Sequence, residues 1–380
     1  MTGQPLAVLA VNAGSTSVKL RVLGPGDRLL ASRDLGALPG SGPALDTTLA
    51  ELRDRFAIGA VAHRVVHGGP VRTAPALVDD ELLAELGRLH GLAPSHTAPA
   101  LQALRAARAV LPVPHVACFD TAFHATLPAA AATYAIPLRW RERYGLRRYG
   151  FHGLSHAYAA RWAAPLLGAD LAKLRLVTCH LGGGASLAAV RDGRSVDTTM
   201  GFTPLDGLVM ATRSGSVDPG LVLWLAREAG VGLDELADSL EHESGLLALA
   251  GRPATLDELY DSADAGDDRA QLAVDVYLHR LIAGVAAMTA SLGGLDALVF
   301  TGGVGEHEPR LRHEAAERLR YLGVEVDPVL NANAGGTDAV VSPDGATSAV
   351  LVVHSREDLE LARAARQLAT GMEGRISSAT

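Results

Sequence analysis

Short apolar runs alternate with amphipathic stretches along the whole chain. Residues 8–23 read as strand, small-residue turn and strand, and 28–34 add a third strand. Helical spacing follows over 46–56 with Asp46 as its N-cap, and 58–66 return to a buried strand. Helices are predicted over 79–90 and 97–110, then a strand over 113–119. A further helix opens near Ser155, which reads as its capping residue. Residues 176–178 and 186–190 form another pair of strands around a glycine turn, and Asp192-Gly193 closes the hairpin after them. Beyond lie helices over 219–229 and 233–240, a packed turn over 244–251, and a long helix over 267–292 that is apolar on much of its surface. Residues 296–300 and 350–353 are the last buried strands, and 356–368 the last helix.

Two of these segments match each other. Asn12-Ala13-Gly14-Ser15 answers to the turn from His180 to Gly184, Ser17 answers to Ser186, and Gly26-Asp27-Arg28 to Asp192-Gly193-Arg194. Duplicated halves explain such a pair. Gly182, Gly183 and Gly184 carry no Cβ, so their N–H groups can approach a phosphate. Ser15, Ser17 and Lys19 bring hydroxyls and a charge to the first turn, and Arg213 brings a planar cation after the second. A surface hairpin with a glycine-rich turn is the alternative.

Composition narrows the class. A chain of 380 residues, 48% hydrophobic and 20% charged, suits a soluble protein of two domains. Its net charge of −8 argues against nucleic acid as a partner held by a broad basic face. Cys118 and Cys179 sit in apolar runs and read as reduced core thiols. With no leader and no apolar run of membrane-spanning length, a cytoplasmic protein without a membrane partner is expected.

Candidate chemistry gathers where strands end. Arg64 and His67 sit at the end of a strand before Gly68-Gly69, the place where open α/β sheets put ligand groups, although a solvated pair is the plain alternative. Asp120 leaves the end of another strand and can bind a metal, orient a base or cap a helix. His96 stands at a helix start, where it can cap or donate to a ligand oxygen. His152 follows Phe151 in a dense polar and aromatic cluster. The run TGGVGEHEP, 301–309, reads as glycine turn and helix but lacks the dinucleotide spacing, which leaves an oxidoreductase weakly supported. Glu357 and Asp358 open the last helix, where a carboxylate stabilises the helix and can also reach a cation.

With these residues assembled, the chain resembles the acetate and propionate kinase family over nearly its whole length. The matching segments are VNAGSTSVKL, HRVVHGG, FDTAFHATLP, RRYGFHGLSH, HLGGGAS, SVDTTMGFTPLDGL, TRSGSVDPG and FTGGVGE. The resemblance implies an α/β, two-lobed, actin-like (ribonuclease-H-like) kinase fold. Its duplicated βββαβα cores would face each other across an active site in the interdomain cleft. The N-terminal lobe, on the acid and phosphate side, would span 1–123 plus 358–380. A nucleotide-binding and dimerising lobe would span 124–357. It further implies Mg2+ (or Mn2+) held by Asn12 and Glu357, ATP as co-substrate, a short-chain carboxylate as acceptor, and a homodimer. Asp120, His152, Arg213 and Arg64 take the catalytic positions. Arg64, Val66, His96, Phe151 and Pro204 take those of the acid site. Lys19, His180, Leu181, Gly182, Gly183, Gly184, Thr255, Leu256, Asp257, Gly303, Val304, Gly305, Glu306 and His307 take those of the nucleotide.

Four positions depart from the family pattern. Ser95 stands where an apolar residue is usual, Gly183 and His307 each replace an asparagine, and Thr255-Leu256-Asp257 lacks the arginine that ends the base-contacting element. Propionate as acceptor, or nucleotide binding without catalysis, therefore stand beside acetate phosphorylation.

Overall fold

The computed structural model describes residues 7–14, 17–38, 42–89, 91 and 94–377, with side chains except at 94, 95 and 370–377. The chain divides into two compact units, Met1–Ala125 with Arg356–Thr380, and Thr126–Ser355.

The first unit is built on a sheet of β1 (Ala7–Ala13), β2 (Ser17–Leu23), β3 (Leu29–Gly36), β4 (Ile58–Val65), β5 (Ala76–Leu77) and β6 (His115–Phe119). Their order is β3-β2-β1-β4-β6-β5. The hairpin strands β1, β2 and β3 pair antiparallel, while β4 lies parallel to both β1 and β6. Leu9, Val11, Val18 and Leu20 are buried against Leu45, Leu49, Leu52, Ala103 and Ala107. Those residues belong to the helices Gly42–Arg55 and Pro94–Val110. The final helix, Glu357–Ser377, packs on β1, β4 and β6.

The second unit repeats the plan with β7 (Arg175–Leu181), β8 (Ala185–Arg191), β9 (Arg194–Thr198), β10 (Ala297–Thr301), β11 (Ala339–Val340) and β12 (Ala349–Val352). Read from its hairpin edge, the order is β9-β8-β7-β10-β12-β11, the same topology. The turn between β8 and β9 has Asp192 at φ 54 and Gly193 at φ 71, the two positive φ values that a two-residue turn of this hand needs. Between β2 and β3, Gly26 and Asp27 also have positive φ. Helices Pro219–Arg227, Leu233–His242, Gly245–Ala250, Leu256–Asp264 and Asp268–Leu292 lie between β9 and β10.

Several local expectations change. The helix containing Asp46 begins at Gly42, which puts Asp46 inside it, while Asp79 caps its own helix by accepting from the Leu82 N–H at 2.8 Å. The segment read as a packed turn holds a short helix, Gly245–Ala250, and the last helix continues to Ser377. The helix Asp268–Leu292 is long and apolar enough to cross a membrane by length and composition, contrary to the reading of the bare sequence. Its Ala273, Tyr277, Leu281, Val285 and Met288 are buried within the second unit, whose neighbouring helices and β8 pack against it. Cys118 and Cys179 are buried free thiols, and burial pushes both above the ordinary thiol range, Cys118 to about 12.

Candidate active site

In the first unit, neighbouring parallel strands bring four of the expected residues together. Asn12 lies near the end of β1, Arg64 near the end of β4, Asp120 directly after β6, and Glu357 at the first position of the final helix. Arg64 donates through Nε to both Asp120 oxygens at 3.0 Å and through Nη2 to Oδ2 at 2.6 Å. Its Nη1 donates to Asn12 Oδ1 at 3.2 Å and lies 3.7 Å from the Glu357 carboxylate. Asn12 Nδ2 donates to Glu357 Oε2 at 2.9 Å.

The charges in this cluster are set by burial and by each other. The Asp120 carboxyl is raised on balance to about 6, because burial, with the charge of Glu357 adding to it, outweighs the downward pull of the Arg64 guanidinium. For Arg64, burial opposes the charge, but the carboxylates of Asp120 and Glu357 outweigh it and raise the guanidinium above its ordinary range. Asp120 is wholly buried and does not cap a helix: its backbone N–H goes to the Val65 carbonyl and its oxygens to Arg64.

The second cluster lies within the second unit. The ring of His152 stacks on that of His180, with centroids 4.3 Å apart. A Cβ on Gly184 would sit 3.2 Å from His152 Nε2 and 3.3 Å from Arg213 Nη2, so both donors converge on that glycine. Arg213 is aimed by its Nη1 donating to the Pro204 carbonyl at 2.8 Å, and burial pulls its guanidinium below the ordinary range. Backbone bonds from Ser244 to Thr212, Leu246 to Met210 and Leu247 to Ala211 brace the Arg213 loop. Gly245, at φ 64, is required there because a Cβ would run into the Met210 carbonyl oxygen.

His152 itself is in the left-handed region, φ 56 and ψ 25, as N-cap of the helix Gly153–Leu166. That conformation is costly for a residue with a Cβ and is found where surrounding structure holds it for a purpose. Ser155 is therefore not the cap. Its hydroxyl meets His180 Nδ1 at 2.8 Å and Ser355 Oγ at 3.4 Å.

The remaining expected positions fall as follows. Lys19 is exposed on β2 opposite Asn12, while Val66 is buried just beyond β4. His96 is half-buried in the first turn of its helix, and the side chain of Ser95 lies outside the described residues, as does Ser15. Phe151 is buried and Pro204 partly so, both in the second unit. Leu181 is buried at the end of β7, where the Gly182 N–H closes a turn onto the Gly184 carbonyl. Gly303, Val304, Gly305, Glu306 and His307 lie in one short helix, Gly302–His307, rather than a turn followed by a helix. Glu306 Oε1 accepts from the Gly302 and Ser355 N–H groups, both at 2.8 Å, while His307 is exposed. Thr255 caps a helix through a reciprocal bond pair with Glu258, Leu256 is buried, and Asp257 is exposed.

Two groups of supporting residues carried no signal in the sequence reading. Arg312, wholly buried, donates to the Gly305 and Glu306 carbonyls at 2.9 Å and to Asn331, and so holds the end of the 302–307 helix. His156 and Thr178 join His152 through Ser186. Each group spans elements far apart in the chain, so local spacing does not reveal it.

Among the described residues no three His, Cys, Asp or Glu side chains form a cage for a metal. Asn12, Asp120 and Glu357 do place an amide and two carboxylates around one guanidinium. An all-oxygen set with few protein ligands fits Mg2+, which keeps waters and shares its shell with substrate phosphates.

Known proteins have a similar fold. The acetate kinase of Porphyromonas gingivalis matches with a TM-score of 0.87 at 33% identity, over 95% of this chain and 99% of its own. A propionate kinase from Francisella tularensis matches with the same TM-score, identity and coverage. The fold is thus the two-domain, actin-like kinase fold of these structures. The acetate kinase of Trichormus variabilis is 48% identical over 307 residues, 80% of this chain and 75% of its own. That of Deinococcus deserti is 44% identical over 372 residues, 97% of this chain and 93% of its own. A family model described as the acetokinase family matches residues 43–363, and the chain belongs to that family.

Proposed function

We propose that this enzyme transfers the γ-phosphoryl group of ATP reversibly to acetate, giving acetyl phosphate and ADP, with Mg2+ (or Mn2+) as the required ion. The observation that carries this reading is the Arg64 cluster: a part-buried guanidinium fixed by the wholly buried Asp120 and by Asn12 beside the Glu357 carboxylate. A carboxylate substrate is already an adequate nucleophile and needs a cation to hold it more than a base to activate it. Arg64 supplies that cation, and Asp120 orients Arg64 and an ion rather than removing a proton. In the second unit, His152 and Arg213 present donors to the equatorial oxygens of a loose, planar phosphoryl group, which carry the developing charge. Asn12, Asp120 and Glu357 are the residues that would hold Mg2+, whose charge would offset that of the phosphates. Within the first unit, the acid's methyl is assigned to Val66. The unit of residues 1–125 and 356–380, which includes Glu357, is assigned the acid and phosphate, and the unit of 126–355 the nucleotide.

A hydroxamate assay for acyl phosphate with ATP, Mg2+ and acetate tests the reading, and no product with any short acid would overturn it. Propionate is the second acceptor, favoured by the equal match to the Francisella propionate kinase. Nucleotide binding without turnover would instead support a non-catalytic role, which the substitutions at Gly183 and Asp257 motivate. We assign the enzyme to the cytoplasm, with neither nucleic acid nor membrane as partner.

A homodimer completes the proposal. The helix Pro219–Arg227 buries none of its side chains in its own unit and exposes Leu221, Leu223 and Trp224. Light scattering at low micromolar concentration is expected to give twice the 39.4 kDa chain mass. A single 39.4 kDa species would exclude the dimer under those conditions.

A further inference from the structure

His152 is tied to the interior by a chain of hydrogen bonds that ends on a main-chain carbonyl. Its Nδ1 lies 2.9 Å from Ser186 Oγ, and Ser186 Oγ lies 2.8 Å from His156 Nε2. His156 Nδ1 is 2.8 Å from Thr178 Oγ1, which reaches the Ala188 carbonyl oxygen at 3.4 Å. Ser186, His156 and Thr178 are all wholly buried, on β8, the helix Gly153–Leu166 and β7. Thr178 and Ala188 are register partners in the β7–β8 pair, so the sheet itself sets the terminus of the chain.

Such a chain has two polarities. In one, every proton points inward from His152 toward Ala188; in the other, every proton points outward. A carbonyl oxygen can only accept, which directs the Thr178 hydroxyl proton to Ala188. Thr178 Oγ1 then accepts from His156 Nδ1–H. A neutral His156 ring consequently accepts at Nε2 from the Ser186 hydroxyl, and Ser186 Oγ, its only proton spent, accepts from His152 Nδ1–H.

We propose that Thr178, His156 and Ser186 are positioning residues that fix the proton of His152 on Nδ1, so that its Nε2 edge beside Gly184 donates only when the ring is cationic. This deepens the proposed function and rests on His152 facing the phosphoryl group. A neutral His152 held in this tautomer would present a lone pair to an anionic oxygen, whereas the imidazolium presents an N–H. The charged and titratable groups around the ring include His180, stacked on it from β7, Arg213, which shares the Gly184 edge, and His156 on its own helix.

The polarity can be read without substrate. Full-length protein labelled with 15N in histidine is examined by long-range proton–nitrogen correlation, with His152→Gln identifying the His152 signals. The expected neutral forms have Nδ1 protonated in both His152 and His156. Neutral His152 protonated on Nε2 in the unaltered protein would overturn the proposal. Thr178→Val removes the terminal donor and should shift His156 toward its other tautomer, while Thr178→Ser should preserve the original one. Identical spectra for the Val and Ser variants would also overturn it.

A second arm uses turnover of acetate and ATP. Ser186→Ala is expected to lower kcat at least tenfold at pH 6 with KM values within about twofold of wild type. It should also flatten the loss of rate expected of the unaltered enzyme as pH rises. An unchanged kcat and pH profile in a folded Ser186→Ala variant would overturn the link to catalysis. If the hydroxamate assay finds no product at all, the functional reading fails, while the tautomer measurement still decides the polarity.

Discussion

At the scale of single residues, the cluster around Arg64 separates recognition from stability. A small carboxylate offers little besides its charge, so Arg64→Ala should lose acid binding and turnover together. Truncating one partner of a buried, charge-assisted contact costs roughly 2–5 kcal/mol, expected here as a fall of at least thirtyfold in kcat/KM for acetate. Unchanged acetate kinetics would leave Arg64 a structural role only. His152 invites a different comparison because its backbone, φ 56, is one that a Cβ disfavours. His152→Gly and His152→Ala both delete the ring, but only glycine is at ease there. The glycine variant should be the more stable by about 1 kcal/mol, measured by denaturant melts, with both nearly inactive. Equal stability would show that the backbone relaxes once the ring is gone. Arg64, Asp120 and His152 were legible in the sequence because each sits beside a strand end or within a dense polar motif. Ser186 was legible only as the counterpart of Ser17, since its partners, His152 and His156, lie some thirty residues away at the start of another element.

At the scale of elements, strand pairing buries histidines that take no part in the proposed chemistry. His63 on β4 and His115 on β6 stack and share a hydrogen bond of 2.9 Å, and His67 follows β4 with its Nδ1 accepting from the Gly69 N–H at 2.8 Å. Burial lowers all three below the ordinary histidine range, His67 to about 4. A histidine depressed in the folded state binds protons more readily when unfolded. Its contribution to stability is therefore complete above about pH 6.5 and is lost as pH falls toward 4. His67→Asn keeps an acceptor for Gly69 and removes the titration. It should lose on the order of 3 kcal/mol less than wild type between pH 7 and pH 4, read from thermal or urea melts. Parallel pH dependence in the two proteins would refute the assignment. The strands and the Asp192-Gly193 turn were legible because alternation and turn chemistry are local. The start of the Gly42–Arg55 helix was not, since a further turn precedes the exposed Asp46, and neither was the role of Ser155, whose hydroxyl is engaged by His180 from a distant strand.

At the scale of the whole molecule, duplication separates what is constrained from what can vary. Both units repeat a three-stranded hairpin sheet followed by parallel strands, and the Asn12 and His180–Gly184 segments occupy matching places in it. Thr255-Leu256-Asp257 belongs to the run of helices between β9 and β10, where the first unit has between β3 and β4, among the described residues, the helix Gly42–Arg55 alone. In that run Thr255 is committed to a capping box and Leu256 to the core, leaving the exposed carboxylate of Asp257 in place of an arginine. An acidic group cannot stack on or donate to a base as a guanidinium does. Phosphate recognition, which we assign to the duplicated hairpins, should therefore outlast base recognition. Weak discrimination among ATP, GTP and ITP is expected, with pyrophosphate a poor donor. Because a base contact is made equally in ground and transition states, its loss should raise KM more than it lowers kcat. Steady-state kinetics with the four donors at saturating acetate measures this. A preference for ATP well over tenfold would mean that side chains outside 255–257 read adenine, with the exposed His307 the first to replace.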